Sequence, residues 1–268
     1  MNAPPEMPPR EPRGVQAVET GFSLLAVLAA HGCLGVAELR EISGLSRAQI
    51  HAYLVSFQRA GLIEKDPRGT GYRVGPFGLE LGMAQLLRLD PQAIAAEEAR
   101  RTAETCGQTI STSVWGLYGP TVTATLQAGE EIRNSARPGT VYSVTGTATG
   151  ILFAALLPAD VIRATAAAQH GEPDPVRFIG RCPALEEIRP QIEQARTHDM
   201  AITYSWPQRG VSALAAPVRN FSDEIEMVLT MIGADTEIDI DPQGFHATQM
   251  RALAARVSRQ LGHVPARD

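Results

Sequence analysis

The segment spanning residues 35–74 constrains this chain more than any other. Val36, Leu39 and Ile42 recur at helical spacing, so a first helix should present one apolar face. Ser43-Gly44 interrupts it, and Gly44 can take the positive φ of a sharp turn. Leu45 is expected to pin that turn to a core. Ser46 then precedes Gln49 by three residues, the pattern of a reciprocal helix cap. Ile50, Leu54 and Phe57 follow at i, i+4 and i+7 as a buried stripe, and Gly61 ends the helix. Residues 62–65 and 71–74 read as two short strands around a turn-rich tip, 66–70. Helix, turn, helix and hairpin in that order predict a winged helix-turn-helix, whose second helix lies in the DNA major groove.

The face of the second helix opposite its stripe carries Arg47, Ala48, Gln49, His51, Ala52 and Ser56, and no carboxylate occurs between Gly44 and Gly61. Lys65, Arg68 and Arg73 add cations on the hairpin. The whole chain has a formal charge of −5, which must be divided before it is used. Residues 1–90 hold nine Lys/Arg and nine Asp/Glu, so the deficit lies entirely in residues 91–268. A modest basic patch on an acidic protein suits specific binding by a dimer rather than indiscriminate coating of DNA.

At 268 residues the chain can form one large or two modest domains, and 44% hydrophobic residues can supply a core. No apolar run reaches the length of a membrane span. Residues 1–12 hold five prolines and no apolar stretch, so they read as a disordered arm and not a signal peptide. Cys33, Cys106 and Cys182 are odd in number and widely spaced, which suggests neither a disulfide framework nor a zinc site. A reducing cytoplasm fits, with no metal and no cofactor expected.

A helix should precede the motif, with Val15, Val18, Phe22, Leu25 and Leu28 as its buried stripe. Pro76 opens another, carrying Phe77, Leu79, Leu81, Ala84, Leu87 and Leu89, too apolar to stay solvated. A partner chain is its expected cover. Asp90-Pro91 restarts the helix as cap and first residue. These signals divide the chain into the arm (1–12), a DNA-binding domain (13–75), a dimerising linker (76–90) and a second domain (91–263). In the second domain, residues 108–117 and 121–128 alternate as a hairpin around Tyr118-Gly119-Pro120. Helices are expected over 148–157, 158–168 and 183–198, strands over 200–205, 211–219 and 224–233, and a closing helix over 242–261. The fold class is α+β, with one antiparallel sheet in the second domain.

The chain resembles IclR-family transcriptional regulators over almost everything from Val15 to Leu261. Four places carry the resemblance: the helix-turn-helix with its wing ending Gly71-Tyr72-Arg73-Val74-Gly75-Pro76; Phe77-Gly78-Leu79-Glu80-Leu81-Gly82; Thr147-Ala148-Thr149-Gly150; and Gly210-Val211-Ser212-Ala213-Leu214-Ala215-Ala216-Pro217-Val218. The family implies a winged helix, a dimerising linker and a GAF/PAS-like sensor domain that binds a small metabolite. It implies a homodimer, or a tetramer through the sensor domains, on a pseudo-palindromic double-stranded operator. Its DNA-reading positions fall on Arg47, Ala48, Gln49, His51 and Ala52. Ala52 departs from the usual arginine, which removes a bidentate guanine contact. Gln49 either reads adenine or is committed to its own helix cap. His51 contacts a base, or else phosphate or the core.

Family members that bind small keto acids imply effector contacts at Ala148, Thr149, Thr203, Ala213, Thr230 and Ile232. Their carboxylate, thiol and one hydroxyl are absent here, so this pocket is less polar, with Thr203, Ser205 and Thr230 keeping some hydroxyls. Trp115 and Tyr142 are either aromatic walls of that pocket or ordinary core. Helix N-terminal amides near Ala148 and Thr149 favour an anion, and Ala213 and Ile232 an apolar body. A carboxylate with a hydrophobic or aromatic part is the expected effector, and a small keto acid the alternative.

Enzyme readings are weak. Residues 146–150 lack the Lys-Ser/Thr that gives a phosphate loop its meaning. Cys106 has no spaced base, and Asp239 and Asp241 read as helix caps. No catalytic residue is assigned. A metabolite sensor or adaptor whose winged helix binds protein is the other rival, and salt-dependent DNA binding separates it from a regulator.

Overall fold

Helix α1 (Gln16–His31) leads into a two-residue strand β1 (Cys33–Leu34), then α2 (Val36–Ser43) and α3 (Arg47–Arg59). This is a computed structural model, and it describes residues 14–127, 136–170 and 178–265. The arm expected over residues 1–12 lies outside them. Strands β2 (Ile63–Lys65) and β3 (Tyr72–Val74) complete the wing, and α4 (Pro76–Leu86) follows. The chain divides into two units, Met1–Leu89 and Asp90–Asp268.

In the first unit the turn has the chemistry its residues dictate. Gly44 takes φ +68° and its N–H donates to the Arg40 carbonyl, closing α2. Ser46 caps α3, its Oγ accepting from the Gln49 N–H while Gln49 Oε1 accepts from the Ser46 N–H. Leu24, Leu28, Leu34, Leu39, Ile50, Leu54, Ile63 and Tyr72 form the core, with Leu45 and Phe57 packed against it. Two expected faces are corrected. Ile42 is 47% exposed, leaving Leu39 as the buried anchor of α2. On α1 the buried line is Gly21, Leu24 and Leu28, whereas Val15, Val18 and Phe22 are exposed. The reason lies at Gly21: a Cβ there would come within 2.9 Å of Phe57, so the helix turns its glycine toward α3. Strand β1, absent from the sequence expectation, pairs Cys33 with Arg73 and Leu34 with Tyr72. It makes the wing a three-stranded sheet of order β1-β3-β2.

The second unit opens with α5 (Pro91–Cys106), capped by Asp90, whose carboxylate accepts from the Gln92 and Ala93 amides. Strands β4 (Thr109–Gly116) and β5 (Gly119–Leu126) form a hairpin. Its turn is shorter than expected. Gly116 pairs with Gly119, leaving only Leu117-Tyr118 between the strands, and Pro120 lies inside β5 opposite Trp115. Next come β6 (Val141–Tyr142), α6 (Ala148–Leu156), α7 (Ala159–His170), β7 (Phe178–Ile179) and α8 (Arg189–His198). Strands β8 (Ala201–Thr203), β9 (Val211–Arg219) and β10 (Ile225–Ala234) precede the closing α9 (Phe245–Gln260). Helix α8 begins six residues later than the expected 183, because Pro190 supplies its first turn.

The seven strands run β7-β6-β5-β4-β10-β9-β8. All pairs are antiparallel except β6 with β7, a parallel edge the sequence did not signal. Alternation along β9 and β10 sends Leu214, Ala216, Val218, Met227, Leu229 and Met231 to one face, against α9, while α5 packs beside α9 over β4 and β5. Ala213, Ala215 and Val228 face the other way, onto Ala148, Ile151 and Leu152 of α6. Gln169 of α7 stitches the β6 side, accepting from the Val144 N–H and donating to the Tyr118 and Tyr142 carbonyls.

Candidate functional site

Two places collect the residues singled out by the sequence, one in each unit. In the first, the stripe of Ile50 and Leu54 seats α3 on its core, which turns Arg47, Ala48, Gln49, His51 and Ala52 outward together. All five are exposed. The Ser56 hydroxyl is turned back on the Ala52 carbonyl. Gln49 Oε1 accepts from both the backbone N–H (3.1 Å) and the hydroxyl (2.8 Å) of Ser46. The carbonyl end of this amide is therefore occupied by the cap, and its NH₂ group is what faces outward.

On the wing the three cations differ. Arg73 is paired across the hairpin with Glu64, Nη2 to Oε1 at 2.6 Å and Nε to Oε1 at 2.7 Å. Lys65 and Arg68 have no acidic partner among the described residues. The tip is shaped by Asp66, whose carboxylate accepts from the Arg68 N–H and whose own N–H donates to the Gly71 carbonyl. Helix α4 has no buried residue. Phe77, Leu79, Leu81, Met83, Leu86 and Leu87 are between 38% and 81% exposed.

In the second unit a cavity of about 60 Å³ lies between the start of α6 and strands β8 to β10. Thr203, Ala213 and Ile232 form one cross-strand row on its wall, and Thr230 belongs to the next. Ala148, Thr149 and Tyr142 face them. The Thr147 side chain caps α6 by accepting from the Gly150 N–H at 3.0 Å, so the first-turn amides of Ala148 and Thr149 lie at the cavity with no intrahelical acceptor. Thr149 and Thr230 bond each other through their hydroxyls at 2.8 Å. The Thr203 hydroxyl is buried without a partner among the described residues.

Two expected members stand elsewhere. Trp115 packs edge-on against Phe153, ring centroids 5.4 Å apart, in the core beside α6. Ser205, at φ +50°, holds the loop after β8. Its Oγ accepts from the Gly210 N–H and its N–H donates to Ser212 Oγ, which donates in turn to Asp235. That loop brings Trp206, Pro207 and Gln208 to the cavity, and Ile179 of β7 closes another side. None of these four was singled out beforehand. Their positions depend on contacts distant in sequence, and only the aromatic-proline pair offered any signal.

With this geometry in hand, comparison with known proteins is informative. The IclR helix-turn-helix domain matches residues 17–67. The glycerol operon regulatory protein of Streptomyces griseus is 26% identical over 259 residues, covering 93% of this chain and 98% of that protein. The HTH-type transcriptional regulator XynR of Escherichia coli is 25% identical, over 93% of this chain and 98% of its own. The crystal structure of HmgR from Pseudomonas aeruginosa aligns with a TM-score of 0.80 at 25% identity, over 93% of this chain and 99% of that one.

Residues 17–67 thus match the IclR helix-turn-helix domain, and the chain resembles transcriptional regulators over 93% of its length.

Its relatives regulate transcription and are not enzymes. The residues that suggested catalysis have structural roles. Gly150 lies so close to the Ser143 and Val144 carbonyls that a Cβ would collide with both, and Gly146 is likewise pressed on the Arg181 carbonyl. Gly150 lets α6 dock against the loop that follows β6, and Gly146 lets that loop approach the backbone at Arg181. Burial pushes the Cys106 thiol up in pKa, which keeps it protonated rather than nucleophilic. Asp239 accepts from the Phe245 and Asp241 amides, and Asp241 from that of Gln243, organising the start of α9. Among the described residues no group of His, Cys, Asp or Glu is arranged to hold a metal ion. No described helix is long and apolar enough to cross a membrane.

Proposed function

We propose that this regulator binds a pseudo-palindromic operator as a dimer, and that a carboxylate effector in the α6 cavity modulates that binding or the transcription that follows. Arg47, Ala48, Gln49, His51 and Ala52 face the major groove, while Lys65, Arg68 and Arg73 meet phosphates from the wing. Pairing through α4 covers its exposed apolar side chains. We assign four segments with the bounds read from the sequence: an arm (1–12), the winged helix (13–75), the linker (76–90) and the effector domain (91–263).

For the effector, one observation carries the reading. The first-turn amides of Ala148 and Thr149 stand at a cavity whose opposite wall is Ala213 and Ile232. Unpaired N–H groups at a helix start attract an anion, and the apolar wall accommodates a hydrophobic or aromatic body. A small keto acid is the second reading, favoured by the cavity's volume of about 60 Å³. Thermal-shift screening of acids, repeated on Thr230→Ile, tests the site. The stabilising acid should lose its effect in the variant. A fully polar sugar or a cation as the tightest ligand, or undiminished binding by Thr230→Ile, would refute it.

A further inference from the structure

The α6 cavity has a neighbour. A second cavity, of about 330 Å³, shares Thr203 and Trp206 with it, so the two adjoin at those side chains. Ile151 of α6, Ile188 just before α8 and Ile202 of β8 give the second cavity an apolar lining. Two hydroxyls on its wall are unusual. Thr145 is 1% exposed and Thr203 is 6% exposed, and neither oxygen has a hydrogen-bond partner among the described residues. Buried hydroxyls without partners are uncommon because leaving water uncompensated is costly. Around α6, Thr147 bonds the Ser143 carbonyl and Thr149 bonds Thr230, whereas the buried Ser111 and Ser113 hydroxyls of β4 also lack a partner among the described residues but line neither cavity. Thr145 and Thr203 lie on one cavity, and Thr203 lies where it meets the other.

Charge narrows the chemistry further. No Lys, Arg or His lines the second cavity, and its single ionisable acid is Glu187. A second anionic group on a ligand would meet no cation in that lining and would face a carboxylate, the Arg181 guanidinium nearby being engaged over the Trp206 ring at 6.0 Å. A neutral hydroxyl or carbonyl would instead pair with threonine hydroxyls, which can donate or accept. The first cavity is small against the volumes of roughly 300–1,000 Å³ usual for ligand sites, and the second falls within them.

The geometry points to an effector that spans both cavities: a monocarboxylate whose acid group sits at the start of α6 and whose apolar body enters the second cavity, carrying a neutral hydroxyl or carbonyl that bonds Thr145 and Thr203. This rests on the effector reading above and selects its larger ligand over a small keto acid.

The full-length chain can be titrated calorimetrically with four probes: pyruvate, phenylacetate, 4-hydroxyphenylacetate and 4-carboxyphenylacetate. The hydroxylated acid should bind at least tenfold more tightly than phenylacetate, and the diacid more weakly than either. Thr145→Val should erase the advantage of the hydroxyl. Its unliganded melting temperature should not fall, because the hydroxyl it removes has no partner. Ile188→Trp, which fills the second cavity, should weaken both aryl monoacids at least tenfold. Equal affinity for phenylacetate and its hydroxylated form would overturn the inference, as would preference for the diacid or undiminished binding by Ile188→Trp. If pyruvate binds and the aryl acids do not, the effector site stands and the two-cavity ligand is refuted. If none of the four binds, the effector reading and this inference fall together.

Discussion

Replacing Arg68 and Arg73 separately by alanine should change the salt dependence of operator binding by different amounts. Each phosphate neutralised by a cation contributes about 0.9 to the slope of log K against log salt on duplex DNA. Arg68 has no acidic partner among the described residues, so in a dimer its loss should flatten the slope by about 1.8. Over a rise from about 50 to about 200 mM salt, that corresponds to wild type losing about 12-fold more affinity than the variant. Arg73 begins from a different state. Its guanidinium is held by Glu64 at 2.6 Å, with both side chains half exposed. Part of its charge is already answered, so Arg73→Ala should flatten the slope less than Arg68→Ala. Glu64→Gln should steepen it beyond wild type by releasing Arg73. Fluorescence anisotropy on a labelled operator across a salt series measures all four proteins. Slopes of Arg68→Ala and wild type that run parallel, at equal affinity, would show that the wing tip does not meet phosphate.

Ser46→Ala should lower the stability of the DNA-binding unit by about 1 kcal/mol through loss of the cap. It should also release Gln49 Oε1, so selection from a randomised operator library should show a changed base preference, and an unchanged preference would mean Gln49 reads no base. Gly150→Ala places a methyl against two backbone carbonyls that cannot rotate away, and calorimetry should find the second unit destabilised by about 3 kcal/mol or more. Paired Leu79→Glu and Leu87→Glu substitutions on the exposed side of α4 should yield monomers in sedimentation at micromolar concentration; an intact dimer would place the interface elsewhere. The Glu98 carboxyl is held below its usual pKa, first by the hydrogen bond from Arg256 and also by one from Gln260. A depressed carboxylate pKa adds stability above its unfolded-state value that is lost as pH falls through the folded one, so Glu98→Gln should narrow the stability gap between neutral and acidic pH.

What the sequence revealed, and what it hid, follows from how far each determinant lies along the chain. Helix α3 was legible because its cap, stripe and stop occupy sixteen consecutive residues, and the local pattern sets which side chains turn outward. Its neighbour α1 has the same apolar periodicity, yet its buried face centres on Gly21, Leu24 and Leu28. Hydrophobicity alone points to Val15, Val18 and Phe22. The choice is made by Tyr53 and Phe57, more than thirty residues away, which need a residue without a side chain opposite them. The two-residue strands β1, β6 and β7 lack any local period: β1 and β6 form because longer strands pass beside them, and β7 pairs in turn on β6. At the α6 cavity, the row Thr203–Ala213–Ile232 could be reached by alignment, since β8, β9 and β10 are contiguous hairpin strands in register. Trp206 could not. It is placed by a loop whose shape depends on Ser205, Ser212 and Asp235 bonding across the sheet, and nothing in the residues beside it encodes that arrangement. The unpartnered hydroxyls of Thr145 and Thr203 are hidden for the same reason. A threonine's sequence context says that it can bond, and only the packed interior shows that nothing in the described protein answers it. On the two-cavity reading proposed above, these hydroxyls would bond the effector, so the part of that site that sets specificity is also the part least written in local sequence.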